Sequence, residues 1–556
     1  MSARRVLVAA FIVALASASP ALRSASGGHE AITVENLREW LGYIASDELE
    51  GRDTYSTGLG LAEGFIQSHL QEWGVTPNGD NGGYLQSVRV MDVKVTSRSR
   101  VTVYVGDESR TFEDGYGVTF PRNSGGKQVL SIGRVEFAGY GLDLPESDHF
   151  DYGDRDVRNH AVVWLGLSGP EHLDADLYGR VLRTRSRYAI DQREAAAVIG
   201  PTVPDRREPQ DDDHAGEAPS SERIDFTTTL GLDRLRPPAI TADDEFFEFL
   251  FGRAPVSYDE LKRRASAREP LPSFLLDGVT LTFHVNHEYD TVRTALTHNV
   301  VATVRGSDPQ LRDTYVAFGA HHDHIGYAEH ALNDPGSRTR PPGRVSDGAT
   351  DDRIWNGADD DGSGTVALMA LAKAFAEGPR PKRSLLFVWH AGEERGLWGS
   401  RYFTDYPTVP IESIVAQLNA DMIGRNREDK ASESDTVYLV GSDRISTELH
   451  EISRQANLTL PSPLTLDYEM NDPFDREQLY YRSDHYSYAA KGIPVIFFTT
   501  GLHVDYHANT DHVSKIEFNK MARITQLLYE TGMRLGNLDH PPVRDRKGPR
   551  AGKGIR

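Results

Sequence analysis

From residue 297 to residue 536, short apolar runs alternate with helical patterns, and this alternation restricts the fold more than any other feature of the chain. The runs are "NVVATV", "TYVAFGA", "SLLFVWHAG", "IVAQLNA", "TVYLV" and "PVIFFTT", and helical spacing appears over 363–377, 444–456, 483–491 and 514–535. Strands that are apolar on both faces belong to a sheet covered on both faces. Intervening helices supply the crossovers that parallel strands need. The expected fold is α/β, a mainly parallel mixed sheet flanked by helices on both faces. Sheets of this kind place their sites beyond the carboxyl ends of the strands.

Five residues of metal-ligating type follow one another as His321, Asp360, Glu394, Asp421 and His507, four of them just past a predicted strand. The chain has no cysteine, so any metal must be held by imidazole and carboxylate, a set suited to zinc or another first-row ion. "GAHHDH" puts His321 after a strand with Asp323 two residues on, where it can orient the ring. On its own, such a turn is more often merely solvated. "GADDDGSG" at 357–364 sets three carboxylates side by side, which repel unless cations neutralise them. Helix capping by Asp361 or Ser363 would account for one acidic residue, not three. In "WHAGEERGLWGS" the adjacent Glu393 and Glu394 point in different directions, so one can bind metal while the other moves protons. The bland alternative is two exposed glutamates favoured by a helix N-terminus. "LNADMIGR" places Asp421, and "GLHVDYHANTD" places His507 with His503 close by, after further apolar strands.

The net charge of −21 weighs against nucleic acid, which needs a basic face. Arg4 and Arg5 precede the apolar run Val6–Ala18, and small residues follow at Ala16, Ala18, Ala21 and Ala25. This is the layout of a signal peptide over 1–26, too short a run to span a bilayer comfortably. The expectation is an exported protein, periplasmic or extracellular, without stable membrane insertion. Residues 84–144 read as β-rich, the texture changes between about 150 and 290, and Asp205–Arg223 reads as an exposed charged loop.

Taken in order, "IASDELEGR", "GAHHDH", "NGADDDGSG", "AGEERGLWGS", "NADMIG" and "SDHYSYAAKGIPVIFFTTGLHVDYHANTD" resemble the motifs of the secreted zinc aminopeptidase family with two co-catalytic metals. Glutamate carboxypeptidases, the transferrin receptor and glutaminyl cyclases belong to the same group. The resemblance covers about 35–140 and 295–535, and the 150–290 region resembles a protease-associated insert. It implies a zinc-exopeptidase fold: an N-terminal part at 30–145, a β-rich or α+β inserted module at 150–290, a catalytic domain at 295–538 and a basic tail at 539–556. It also implies two Zn2+ or other first-row divalent ions per chain. His321 and Asp421 would hold one, Glu394 and His507 the other, and Asp360 would bridge them. Asp323 would support His321, Glu393 would be the general base, and Asp360–Asp361 would be a cis peptide. Tyr480, Tyr481 and His485 are candidates for the donor to the oxyanion, His485 being favoured. A long insertion, Gly326–Ile354, departs from the family pattern. Peptides are the implied substrates, with aminopeptidase activity expected first. A carboxypeptidase or dipeptidase is the alternative, with Arg425, Arg427 or Arg482 offering a cationic pocket. A glutaminyl cyclase would work with one metal, and a receptor domain that lost catalysis should lack ligands or base.

Overall fold

The structure is a computed structural model that describes residues 28–121, 123–203, 225–227, 232, 234–328 and 342–546. The leader expected at 1–26, the loop at Asp205–Arg223, residues 329–341 of the insertion and the tail from 547 lie outside the described residues. Among those described, no helix is long and apolar enough to cross a membrane.

The main sheet has ten strands. Eight of them, in chain order, are β1 (Leu85–Val95), β2 (Tyr289–Val304), β3 (Tyr315–His321), β4 (Ser384–His390), β5 (Ile414–Ala420), β6 (Thr436–Val440), β7 (Thr465–Asp467) and β8 (Val495–Thr499). Their spatial order is β1-β2-β4-β3-β5-β8-β6-β7. The centre is parallel: β3 pairs with β4 and with β5, and β5 pairs with β8. Antiparallel pairs, β1–β2, β2–β4 and β6–β8, lie to either side. Every residue of β4 and β5 is buried, which is why these strands read as unbroken apolar runs.

Helices cover both faces: α1 (Val34–Ile44), α2 (Thr57–Glu72), α3 (Gly364–Glu377), α4 (Trp398–Asp405), α5 (Thr447–Asn457), α6 (His485–Ala489) and α7 (Phe518–Asn537). Alternate strand residues enter two separate cores, as the period of two requires. Leu385, Phe387 and Trp389 pack with Phe375 of α3 and Tyr529 of α7. Leu386 and Val388 pack with Phe403 of α4 and Tyr488 of α6. The approach of α7 to β3 depends on Gly532, where a Cβ would sit 2.3 Å from the Phe318 ring.

After β3 the chain forms β4 on one side, then crosses to form β5 on the other. Winding therefore reverses at β3, and a crevice opens beyond its carboxyl end. The register keeps the strand ends level, with His321 opposite His390, Gly319 opposite Asn419 and Ala420 opposite Phe498.

A second ten-stranded sheet runs from the strand Arg100–Val105 to the strand Val279–Val285. The strands expected between 100 and 138 to belong to the N-terminal part of the main domain hydrogen-bond into this sheet instead. The β1–β2 ladder pairs Val95 with Tyr289, and the chain between them returns to the main sheet at Asp225–Thr227, which pairs with β1. The second sheet thus takes in strands from both sides of residue 150, beginning with Arg100–Val105.

Candidate metal centre

The three aspartates after β3 do three different things. Asp361 accepts backbone N–H bonds from His321 (3.1 Å), Gly364 (2.9 Å) and Met422 (3.2 Å), tying three loops together. Asp359 accepts from the Gly424 N–H at 2.6 Å and lies 3.2 Å from His503 Nε2. Asp360 turns both oxygens inward: Oδ1 lies 3.3 Å from His321 Nε2, and Oδ2 lies 3.2 Å from His507 Nε2. The Asp360–Asp361 peptide is cis.

His321 Nε2, 3.3 Å from Asp360 Oδ1, lies 3.7 Å from Asp421 Oδ1. Around Oδ2 stand His507 Nε2 and Glu394 Oε2, 3.0 Å apart. Two donors on a tetrahedral zinc at about 2.0–2.1 Å lie roughly 3.3 Å from each other, so both groups have the spacing of ligand shells. Asp360 Oδ2 and Glu394 Oε1 are buried and face imidazole nitrogens, those of His507 at 3.2 Å and His324 at 2.8 Å, which are themselves metal-ligating groups. Asp361 also lies within ligand distance of His321 and Asp421. Its oxygens are taken by the three amides, however, which leaves Asp360 as the better donor.

The charges follow from this packing. Burial alone would lower the pKa of both imidazoles, but the facing carboxylates outweigh it. His321 is held well above its ordinary value, and His507, beside Glu394 and Asp360, is pushed up to about 12. Burial works to raise Glu394, yet His507 and His324 hold it down at about 2.

Glu393 and Glu394 diverge as expected. Glu393 faces the cleft, with Oε2 3.9 Å from His321 Nε2, and burial holds its carboxyl well above the usual range. Asp323 does not orient His321 through its carboxylate, which lies 3.7 Å from Nδ1. The backbone carbonyl of Asp323 takes that contact at 3.0 Å, while its carboxylate accepts the Glu393 N–H at 3.2 Å. Asp323 thus places the glutamate as much as the histidine.

His485 does not reach the cleft. It is fully buried and stacks on Phe497 with ring centroids 4.7 Å apart, and Phe497 is the residue that lines the cleft. Burial pushes its pKa down to about 3, so it is a neutral core ring. Tyr506, on whose ring His507 stacks at 4.0 Å, and Arg482 line the cleft in its stead. Arg425 is tied to Asp429 and Asp505, and Arg427 to Glu469, which leaves Arg482 at the cleft among the three arginines considered.

Three contributors escape a reading of the sequence. His324 places Nδ1 2.8 Å from Glu394 Oε1, giving the second group another imidazole. Ser483 donates to Asp421 Oδ2 at 2.6 Å. Arg52, fully buried in the "IASDELEGR" motif, donates to the carbonyls of Ile44 (2.6 Å), Asn356 (2.7 Å), Gly357 (3.0 Å) and His322 (3.1 Å). Presence in a shared motif was the only clue to Arg52; nothing local pointed to the other two.

Residues 299–532 match the sequence profile of peptidase family M28. Leucine aminopeptidase 1 of Trichophyton equinum is 26% identical over 241 residues, which is 42% of this chain and 56% of that protein. Leucine aminopeptidase 1 of Trichophyton rubrum is 25% identical over 243 residues, with the same coverage. The chain therefore spans a little over half the length of these relatives. Among solved structures, an aminopeptidase from Aneurinibacillus sp. strain AM-1 aligns at TM-score 0.43 and 17% identity, over 93% of this chain and 97% of that one. A zinc aminopeptidase from Bacillus subtilis aligns at 0.43 and 14%, over 93% and 98%. At such scores the likeness adds nothing about function.

Proposed function

We propose that the protein, whose residues 299–532 match the profile of peptidase family M28, is an exported, metal-dependent exopeptidase, most readily an aminopeptidase. The observation that carries this is the placement of Asp360, whose two oxygens lie 3.2–3.3 Å from His321 and His507, each of which is paired with a second carboxylate. His321, Asp360 and Asp421 would hold one Zn2+, and Asp360, Glu394 and His507 the other. Once bound, such a pair lowers the pKa of a water towards neutrality and polarises the scissile carbonyl. The remaining chemistry belongs to the chain. Glu393 takes a proton from the attacking water and returns it to the leaving amine; its raised pKa suits a group that must both accept and donate. Tyr506, whose hydroxyl accepts from Arg482, carries an O–H donor on the cleft wall that can meet a developing oxyanion. Leu479, Phe497 and Leu502 make the apolar part of the cleft, which suits a substrate side chain.

Elemental analysis with hydrolysis of aminoacyl p-nitroanilides, before and after chelation, tests the reading. Two zinc ions per chain and chelator-sensitive release are expected. A metal-loaded protein that cleaves neither aminoacyl nor peptide substrates would overturn it.

A further inference from the structure

The inserted unit reaches the metal centre through one segment. The stretch 477–486 carries Leu479 and Arg482 of the cleft, together with Ser483 behind Asp421. The inserted unit clamps this stretch: Gln192 Nε2 donates to Tyr481 Oη at 2.6 Å, Tyr486 Oη donates to Asp191 at 3.0 Å, and Arg187 lies over the Tyr481 ring. At the cleft end of the clamp, Arg482 Nη1 donates to Glu477 Oε2 at 2.9 Å and to the Glu477 carbonyl at 3.4 Å, and Nη2 donates to Tyr506 Oη at 3.0 Å. Arg180, from the short helix Gly179–Arg183 of the inserted unit, places Nε 3.4 Å from that same Glu477 oxygen.

Two guanidiniums therefore share the Glu477 carboxylate beside the cleft, and Asp475 and Glu393 also act on Arg482. Among the described residues, the bonds above occupy three of Arg482's five donors. Its side chain keeps 15% of its surface exposed, so the remaining donors can be reached. A guanidinium on the cleft wall with unused donors matches a carboxylate in particular. Building on the hydrolase reading above, we propose that Arg482, backed by Arg180 of the inserted unit, forms a subsite for a substrate carboxylate next to the metal centre. The carboxylate can come from a free peptide C-terminus on the leaving side or from an acidic side chain. The subsite gives the inserted unit a part in substrate choice.

Matched substrate pairs separate these sources: Leu-Gly against Leu-Gly amide for the terminus, and Leu-Glu amide against Leu-Gln amide for the side chain. The zinc-loaded wild type should favour the carboxylate member of one pair by about tenfold or more in kcat/KM, mostly through KM. Arg482→Gln should bring that preference close to one, Arg482→Lys should restore only part of it, and Arg180→Gln should reduce it less than Arg482→Gln does. Metal content, measured alongside, confirms that each variant folds. Equal rates within both pairs for the wild type would overturn the subsite and leave the hydrolase intact. Equal losses within the preferred pair for Arg482→Gln would reduce Arg482 to a support for Tyr506. No hydrolysis of any of the four would overturn the hydrolase reading itself.

Discussion

At the residue scale, the proposed division between two neighbouring glutamates rests on the different surroundings their carboxyls meet. Glu394 lies between His324 and His507 and is held as a carboxylate. Glu393 faces the cleft, with burial resisting its charge. Glu393→Gln should keep both metals while lowering turnover by about a hundredfold or more, seen by elemental analysis beside kcat. Wild-type turnover in that variant would remove Glu393 from the mechanism. Asp360→Ala should instead lose metal from both groups, and two ions retained per chain would contradict the bridging role. These residues stood out in the sequence as candidate ligands because adjacent carboxylates at strand ends repel one another until cations neutralise them. How the triplet divides its labour was not legible there. Asp361 holds the amides of Gly364, Met422 and His321, two of which come from other segments.

At the element scale, the site depends on loops that several strands present at one edge, and one of them needs an outside support. The His507 loop is held by the far end of the insertion: the Arg344 N–H donates to the His507 carbonyl at 2.8 Å, and the Asn509 N–H donates to the Arg344 carbonyl at 3.1 Å. Gly343 makes this contact feasible, since a Cβ there would come within 2.5 Å of the His507 carbonyl oxygen. Gly343→Val should therefore weaken the metal held by Glu394 and His507 more than the one held by His321 and Asp421. Zinc titration with a competing chelator should show one tight and one loosened site. Two unchanged affinities would show that the strap has no bearing on the centre. The insertion stood out in the sequence only as a departure, because its use comes from pairing with a loop far along the chain.

At the scale of the whole molecule, the inserted unit folds around its own core and closes through the β1–β2 ladder. His287 lies in this unit beside Phe120, and burial pushes its pKa down to about 4. The unfolded chain, with an ordinary value near 6.5, binds more protons between these two pH values. The stabilisation from a neutral His287 is therefore complete above about 6.5 and is lost as the pH falls towards 4. The loss amounts to about 2–3 kcal/mol. His287→Gln should flatten the fall in unfolding free energy between pH 7 and pH 4.5, measured by urea denaturation; parallel profiles for variant and wild type would sink this account.

Local periodicity was enough to specify an α/β sheet with a parallel centre and five ligand types at its strand ends. Both are written into neighbouring residues, apolar run by apolar run. The extent of the insert, the withdrawal of His485 behind Phe497, the support of His321 by a carbonyl and the sharing of Glu477 by Arg180 and Arg482 could not be read that way. Each arises where segments distant in sequence are packed together, and side-chain identity alone does not say which of several equally suitable partners will lie within hydrogen-bonding reach.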